Sequence, residues 1–509
     1  MTPETDIRLL LAILAPLIGA GLVMLTGRRP NLREGCSFVA AVVLFGITVS
    51  LIPEIRAGRV LTFTLFKILP GLSLTLRADP MSMLFAVSAS FLWILTVFYA
   101  AGYMRGLKEH AQTRFNACFA LALFGAIGCA FADNLLTLYL FYEIVSVCTY
   151  PLVAHHQDAE GYEGGLKYLV YLTTTAKALV LPAMVMVYVL NGNLDFAWNI
   201  REGVLPASAG GGLVTVLYVC FLLGFAKNGI MPFHHWLPGA MVAPTPVSAL
   251  LHAVAVVKVG VFSTVRVMLY VFGVERMDAL NLGMPTAWFV SVTILVASAI
   301  ALSKDNLKLR LAYSTVSQLS YIILGVALLT PRAIEGGLVH IAHHAFAKIT
   351  LFFCAGAIYV ATHKKNISEM GGLGRTMPFT FGAFAVAALS MIGAPPVAGF
   401  VTKWNLLVGA VDAGSIGIMV VLLLSTLLNA AYFVPVVYTA FFGRATPVGA
   451  GVGAGSHGHG HGEGHGHVQA AEGEAPWAMV IPLTLTAAIS VLLGFYPDLF
   501  MQFPKALFP

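Results

Sequence analysis

Three side chains able to carry protons recur at four-residue intervals in one apolar stretch: His340, His344 and Lys348. Residues four apart stack on one face of a helix, so this run can hold a water chain and pass protons along it. Histidine titrates near neutrality, and a desolvated lysine is brought down towards it. Two histidines at this spacing also suit a metal or haem, although no carboxylate stands with them in the stretch 336–361. Structural hydrogen bonding in a core is the third reading.

Other ionisable residues interrupt apolar stretches at Glu143, Lys177, Lys227, His252, Lys258, His343 and Lys403. A lysine at bilayer depth costs roughly 3 kcal/mol on insertion scales, so it normally faces a bundle interior, a cavity or a carboxylate. Snorkelling at helix ends is the plainer alternative. Glu143 is flanked by apolar residues for over a turn on either side, so a cationic partner is expected, with Lys227 and Lys177 as candidates. Making and breaking such a pair would switch a proton on and off. Pro232 and Pro238 follow Lys227, and Gly393-Ala394-Pro395-Pro396 precedes Lys403. Proline removes a backbone donor and frees carbonyls for water or ions, so each lysine should stand beside a broken helix, the break following Lys227 and preceding Lys403. His252 and Lys258, in one stretch, would bridge these two sites. The expected order in space is Glu143, Lys227, Lys258, His344 or Lys348, then Lys403.

The elements that must position these residues are membrane helices. Of 509 residues, 58% are hydrophobic and 10% charged, a composition that ordinary soluble domains do not show. Crossing a bilayer takes about 20 helical residues, and about fourteen apolar stretches qualify. They lie near 6–26, 36–53, 80–102, 115–132, 134–154, 165–191, 211–231, 244–272, 285–303, 309–330, 336–361, 378–410, 414–442 and 477–497. The fold class is an all-α polytopic membrane protein with inverted repeats and two discontinuous helices. The expected divisions are 1–110 (first helices and a hairpin), 111–272 and 283–443 (two repeats), 447–476 (a loop) and 477–509 (last helix and tail).

Arg28, Arg29, Arg33, Arg105, Lys108, Arg114, Lys304, Lys308, Arg310, Lys364, Lys365 and Arg375 follow odd-numbered spans. Basic loops are cytoplasmic, so both termini are expected outside, in the periplasm if the membrane is a bacterial inner membrane. Residues 54–79 run against this trend, and their alternation around Pro70-Gly71 predicts an external β-hairpin. The first span, lacking a basic n-region, is expected to be retained as a helix. Six cysteines stand singly in apolar stretches and read as buried small hydrophobes. His155, His156, His234 and His235 fall near cytoplasmic span ends, as mouth residues of a half-channel or as plain loop residues, and His363 reads as an ordinary loop residue. The stretch 447–476 alternates glycine and alanine with His457, His459, His461, His465 and His467. It reads as a flexible linker with incidental metal affinity.

The run Lys227-Asn228-Gly229-Ile230-Met231-Pro232-Phe233-His234-His235-Trp236-Leu237-Pro238-Gly239-Ala240-Met241, continued by Ala243 to Ala253, resembles the signature of the antiporter-like subunits of respiratory complex I. Mrp-type cation/proton antiporters and membrane-bound hydrogenases share it. Leu311 to Gln318, His340 to Lys348 and Gly393 to Lys403 are similar to the same superfamily in the same order, so the resemblance covers roughly 80–440. It implies that Glu143 is the acidic partner, Lys227 the broken-helix lysine, Lys258 the central lysine, His344 and Lys348 the relay, and Lys403 the exit lysine. Lys177 and the histidine-rich loop depart from the pattern, and Gly239 stands where an acidic residue is usual. With the sequence ending at Pro509, no long lateral helix is expected after the last span, an expectation that favours the shorter paralogues.

The expected function is therefore proton translocation as a membrane subunit of a complex I-like assembly, an NADH:quinone oxidoreductase or a hydrogenase. The alternative is the D-type component of a multisubunit sodium/proton antiporter. No Rossmann fingerprint, P-loop or cysteine cluster occurs, so no cofactor is expected in this chain. Any redox chemistry would belong to neighbouring subunits, and the expected partners are other membrane subunits, the lipid bilayer and protons, with sodium under the antiporter alternative, and not nucleic acid.

Overall fold

The computed structural model describes residues 4–444 and 473–508, and of Leu251 and His252 only the backbone. Residues 447–472 of the expected histidine-rich loop lie outside the described residues. In chain order the helices are α1 (Arg8–Leu25), α2 (Pro30–Arg56), α3 (Pro80–Gly106), α4 (Gln112–Ala130), α5 (Leu135–Val153), α6 (Ala159–Asn191), α7 (Gly211–Gly224) and α8 (residues 245–272). They continue with α9 (Gly283–Ser303), α10 (Leu307–Ala327), α11 (Pro331–Thr362), α12 (Pro378–Ile392), α13 (Ala398–Asp412), α14 (Ile416–Phe442), α15 (Trp477–Phe495) and the short α16 (Asp498–Lys505). Among the described residues, 10 helices are long and apolar enough to cross a membrane. The remaining expected crossings fall on α7 with its interrupted continuation, on α8, on α10, and on α12 with α13 taken together. The chain is a multi-pass membrane protein.

Helix starts follow local chemistry. Asp79 caps α3 by accepting from Ser82 N at 2.8 Å while Ser82 Oγ accepts from Asp79 N at 2.7 Å, two orphan donors satisfied reciprocally. Asn134, Asp158 and Asn306 cap α5, α6 and α10 in the same way with one bond each. Proline opens α2, α3, α11 and α12, where its missing N–H would have had no helical partner.

Two runs of five crossings follow one another. The first is α4, α5, α6, α7 with its continuation, and α8; the second is α9, α10, α11, α12 with α13, and α14. The fourth crossing is the interrupted one in each. Corresponding helices are offset by five crossings, an odd number, so the second run enters from the opposite side, the inverted arrangement common in transporters.

Burial places the core. The apolar window of α11 is 83% buried and that of α3 is 78% buried, against 33% for α2. A helix covered on all sides is central, so α11, α3 and α8, which is buried throughout Val256–Phe272, form the centre and α1 and α2 the rim, where Leu25 and Val39 face outwards. The expected hairpin is present as β2 (Leu61–Leu69) and β3 (Leu72–Ala78), paired antiparallel. A short N-terminal strand, β1 (Glu4–Thr5), adds to it in parallel.

Candidate functional site

The first break begins before Lys227 rather than after it. α7 stops at Gly224, Lys227 occupies a single turn over Ala226–Asn228, and Gly229 takes a φ of 73°. The prolines are not the cause. Asn228 Nδ2 binds Leu222 O at 3.0 Å and Thr264 Oγ1 at 3.1 Å, and Trp236 Nε1 binds Ala226 O at 2.9 Å. Side chains after the break thus satisfy the carbonyls that the helix abandons, as a low-dielectric interior requires. Helix α8 seals this turn through Gly260, where an added Cβ would stand 2.2 Å from the carbonyl carbon of Lys227.

Lys227 is fully buried. Its Nζ donates to Tyr142 O at 2.9 Å and Ser146 Oγ at 2.6 Å, and lies 3.1 Å from the centre of the Tyr142 ring. A buried ammonium is tolerated when its donors are used and its charge faces a π-surface. Glu143 stands on α5 between those partners. No ion pair joins Glu143 to Lys227 among the described residues, because the ammonium turns to the backbone carbonyl and hydroxyl instead. Glu143 Oε1 is buried without a hydrogen-bond partner among the described residues, and the charges of Lys227 and the exposed Lys177 both act on it. Lys177 lies in a wide turn, Ala176–Val180, within α6, a feature frequent at functional sites.

At the middle of the molecule Lys258 Nζ meets His344 Nδ1 at 2.7 Å, both residues buried. The His344 and His340 rings are 5.5 Å apart, and His340 Nε2 is 3.1 Å from Gln318 Oε1. His340 lies edge-on to Tyr321 at 5.8 Å, and Tyr321 in turn lies 5.4 Å from Lys403 Nζ. The file from Lys258 to Lys403 therefore runs His344, His340, Tyr321. Lys348 leaves this line: its Nζ donates to Ser314 Oγ at 2.8 Å and Leu311 O at 3.3 Å on α10.

The second break precedes Lys403, as expected. α12 ends at Ile392, Gly393 takes a φ of 87°, and α13 starts at Ala398. Lys403 Nζ donates to Ile392 O at 2.7 Å and Thr426 Oγ1 at 3.1 Å. A cation at the carbonyl end of a helix is favoured by the helix dipole. Gly393 is required twice over, by its positive φ and because an added Cβ would lie 2.5 Å from Lys403 Cδ.

His252 lies in a wide turn of α8, Leu250–Val254, and its side chain is outside the described residues. His343, next to His344 on α11, turns to α13 and binds Thr402 Oγ1 at 3.0 Å. His234 is buried, and His363 closes α11 with a φ of 57°. Sequence reasoning missed Tyr142, Ser146, Ser314, Gln318 and Tyr321, which are the partners that hold the lysines and histidines. Ser314 and Gln318 are four apart inside Leu311 to Gln318, and that spacing could have marked them.

A buried charge cluster was also missed. Arg266, two turns beyond Lys258 on α8, pairs with Asp79 at 2.6 Å, and Arg77 lies 3.3 Å from Asp79 and 3.2 Å from Asp133. Its signal is an arginine deep in the stretch 244–272.

At the opposite end a cavity of about 670 Å³ opens between the loops, lined in part by Glu109, His156, Glu163, Lys308 and Lys365. Burial pushes the Glu109 carboxyl up, but His155, His156 and His110 around it outweigh burial and hold it below the usual range. Burial likewise holds His156 below the ordinary imidazole value.

An all-helical polytopic protein with two broken helices and a file of buried lysines and histidines between them is built as an ion-translocating membrane protein. Residues 132–429 match the family described as NADH:quinone oxidoreductase/Mrp antiporter, TM, and the chain belongs to that family. It is 32% identical over 435 residues to the N subunit of the NADH-quinone oxidoreductase of Desulforudis audaxviator, covering 84% of this chain and 83% of that protein. It is 31% identical to the A/B component of a probable K(+)/H(+) antiporter of Rhizobium meliloti, over 79% of this chain and 40% of that protein. Its fold superposes on a chain of the Mrp complex from a Dietzia species with a TM-score of 0.84 and 22% identity, covering 98% of this chain and 96% of that one.

Proposed function

We propose that this chain translocates protons as one membrane subunit of a complex I-like assembly, along the file Glu143, Lys227, Lys258, His344, His340 and Lys403. The observation that carries the reading is the 2.7 Å contact between Lys258 Nζ and His344 Nδ1 in the sealed centre of the bundle. Both atoms can accept a proton only when deprotonated, and they cannot both be cationic at that distance without a large cost in a low dielectric. One proton shared between them is the elementary step of a relay. His340, Tyr321 and Gln318 extend it towards Lys403, while Lys348 stays on Ser314 as a side station.

Relatives that are subunits of quinone oxidoreductases support a redox-driven assembly in which other subunits carry the cofactors. The chain's own residues hold and move the proton and need no cofactor for that. A multisubunit cation/proton antiporter is the second reading, favoured by the likeness to the Mrp complex over nearly the whole chain. Arg28, Arg29, Arg105 and Lys108 gather at one end of the bundle and Lys308, Lys364 and Lys365 line the cavity. With basic loops inside, this supports both termini lying outside a bacterial inner membrane.

Proton pumping in vesicles holding the intact complex, energised with NADH, hydrogen or a sodium gradient, tests the reading against Lys227→Ala. Reductant-driven pumping lost in the variant supports the leading function, sodium-driven exchange lost in it moves the chain to the antiporters, and unaltered transport by either route sinks the lysine file.

A further inference from the structure

Three imidazoles converge on one carboxylate where the loop after α3 meets the loop after α5. Glu109 Oε2 lies 3.7 Å from His155 Nε2, 3.7 Å from His156 Nδ1 and 4.0 Å from His110 Nδ1. The ligand atoms of Glu109, His110 and His155 are all within 4.8 Å of one another. His155 is fully buried, yet among the described residues neither of its ring nitrogens has a hydrogen-bond partner. An orphaned buried imidazole is rare unless something outside the protein chain satisfies it.

We propose that Glu109, His110, His155 and His156 form a binding site for a borderline divalent transition cation of the Zn2+ class at the rim of the cavity. The donor set is three neutral nitrogens and one carboxylate oxygen, which suits zinc or cobalt. Calcium and magnesium ask for more oxygen ligands than this corner offers. In a tetrahedral site with bonds of about 2.0–2.1 Å, ligand atoms stand roughly 3.4 Å apart. The carboxylate-to-imidazole separations of 3.7–4.0 Å are near this spacing, while the widest separation among the Glu109, His110 and His155 atoms, 4.8 Å, has to close by about 1.4 Å through side-chain rotation when the cation binds.

The supporting shell is in place. Arg114 donates to His155 O at 2.9 Å, and Phe115 packs edge-on to the His155 ring. Glu109 and His156 both line the cavity, so a bound cation would withdraw two proton acceptors from its rim. The site is independent of the lysine file and does not rest on the proposed function.

The test uses the full-length chain in nanodiscs with His457, His459, His461, His465 and His467 replaced by Ser, so that the histidine tract does not compete. Titration with Co2+ should give one equivalent with the intense visible absorption of four-coordinate nitrogen and oxygen ligation, displaced by Zn2+. Removing ligands should weaken binding by about 100-fold or more, in His155→Asn and in the double variant His110→Ala with His156→Ala. The double variant guards against misfolding, because those side chains are 49% and 36% exposed. Unchanged Co2+ binding in the double variant overturns the site, as does a pale six-coordinate spectrum or no binding in the Ser-substituted chain.

Discussion

At the scale of single residues, the contact between Lys258 and His344 is the point where chemistry and burial meet. A positioned proton carrier is worth about 10² to 10⁴ in rate. Lys258→Met, which keeps the length and removes the charge, should lower vesicle proton translocation by about 100-fold or more with little change in thermal stability. An equal loss of folded protein and of transport would mean that Lys258 is structural. Asp133, in the turn between α4 and α5, gives a pH prediction outside the spans. Burial raises its carboxyl to about 6 against the pull of Arg77 and Arg266. Asp79 is opposed by the same burial but sits below the usual range, because Arg266 and Arg77 flank it and Ser82 N donates to it. A carboxyl raised in the folded state holds its proton more tightly than in the unfolded chain, so its contribution is complete below the unfolded value near 4. That contribution, at most on the order of 3 kcal/mol, is lost as pH rises through about 6. Thermal unfolding followed from pH 5 to pH 8 should fall less steeply in Asp133→Asn; parallel curves would remove Asp133 from the account.

At the scale of elements, the two broken helices are held open by named side chains rather than by proline alone. Gly260 lets α8 lie directly on the turn that carries Lys227. Gly260→Ala should cost about 1–3 kcal/mol through overpacking and reduce transport, since the added methyl displaces Lys227 itself. Transport at the wild-type rate in a destabilised Gly260→Ala protein would separate packing from function. Asn228→Ala leaves Leu222 O and Thr264 Oγ1 without their partner, and should cost about 1–3 kcal/mol. Denaturation of the purified variant in detergent measures this, and no loss would show that water replaces the amide. Asn228 lies in the signature that marked the site in sequence, and the structure gives it a hydrogen-bonding task; Gly260 lies beyond that signature, and its task is close packing.

At the scale of the whole molecule, the central helices α3 and α11 are sheathed by helices whose outer faces are apolar. From Lys227 to Lys403 the polar file is therefore buried within this chain, while Glu143 at its start is only partly buried. Deleting residues 447–472, which lie between α14 and α15 in the sequence, should leave reductant- or gradient-driven transport within about two-fold of wild type, because their glycine, alanine and histidine composition offers few large apolar side chains to a packed core. Loss of transport in a normally folded deletion variant would give that histidine tract a role in function.

The sequence alone determined the crossings, the hairpin, the second break and the residue types of the buried lysine and histidine file. Those features rest on local composition and periodicity, which act within a few turns of chain. Alternation in 54–79 was enough for β2 and β3, and four-residue spacing was enough to put His340, His344 and Lys348 on one helix. Only the tertiary structure decided which of them meet. It joined Lys258 to His344 across 86 positions, sent Lys348 aside to Ser314, turned Lys227 from Glu143 to Tyr142 and Ser146, and gathered Glu109 with three histidines. A buried ammonium takes whichever carbonyl, hydroxyl or ring the packing of distant helices brings within about 3 Å, and no local pattern in the chain encodes that choice.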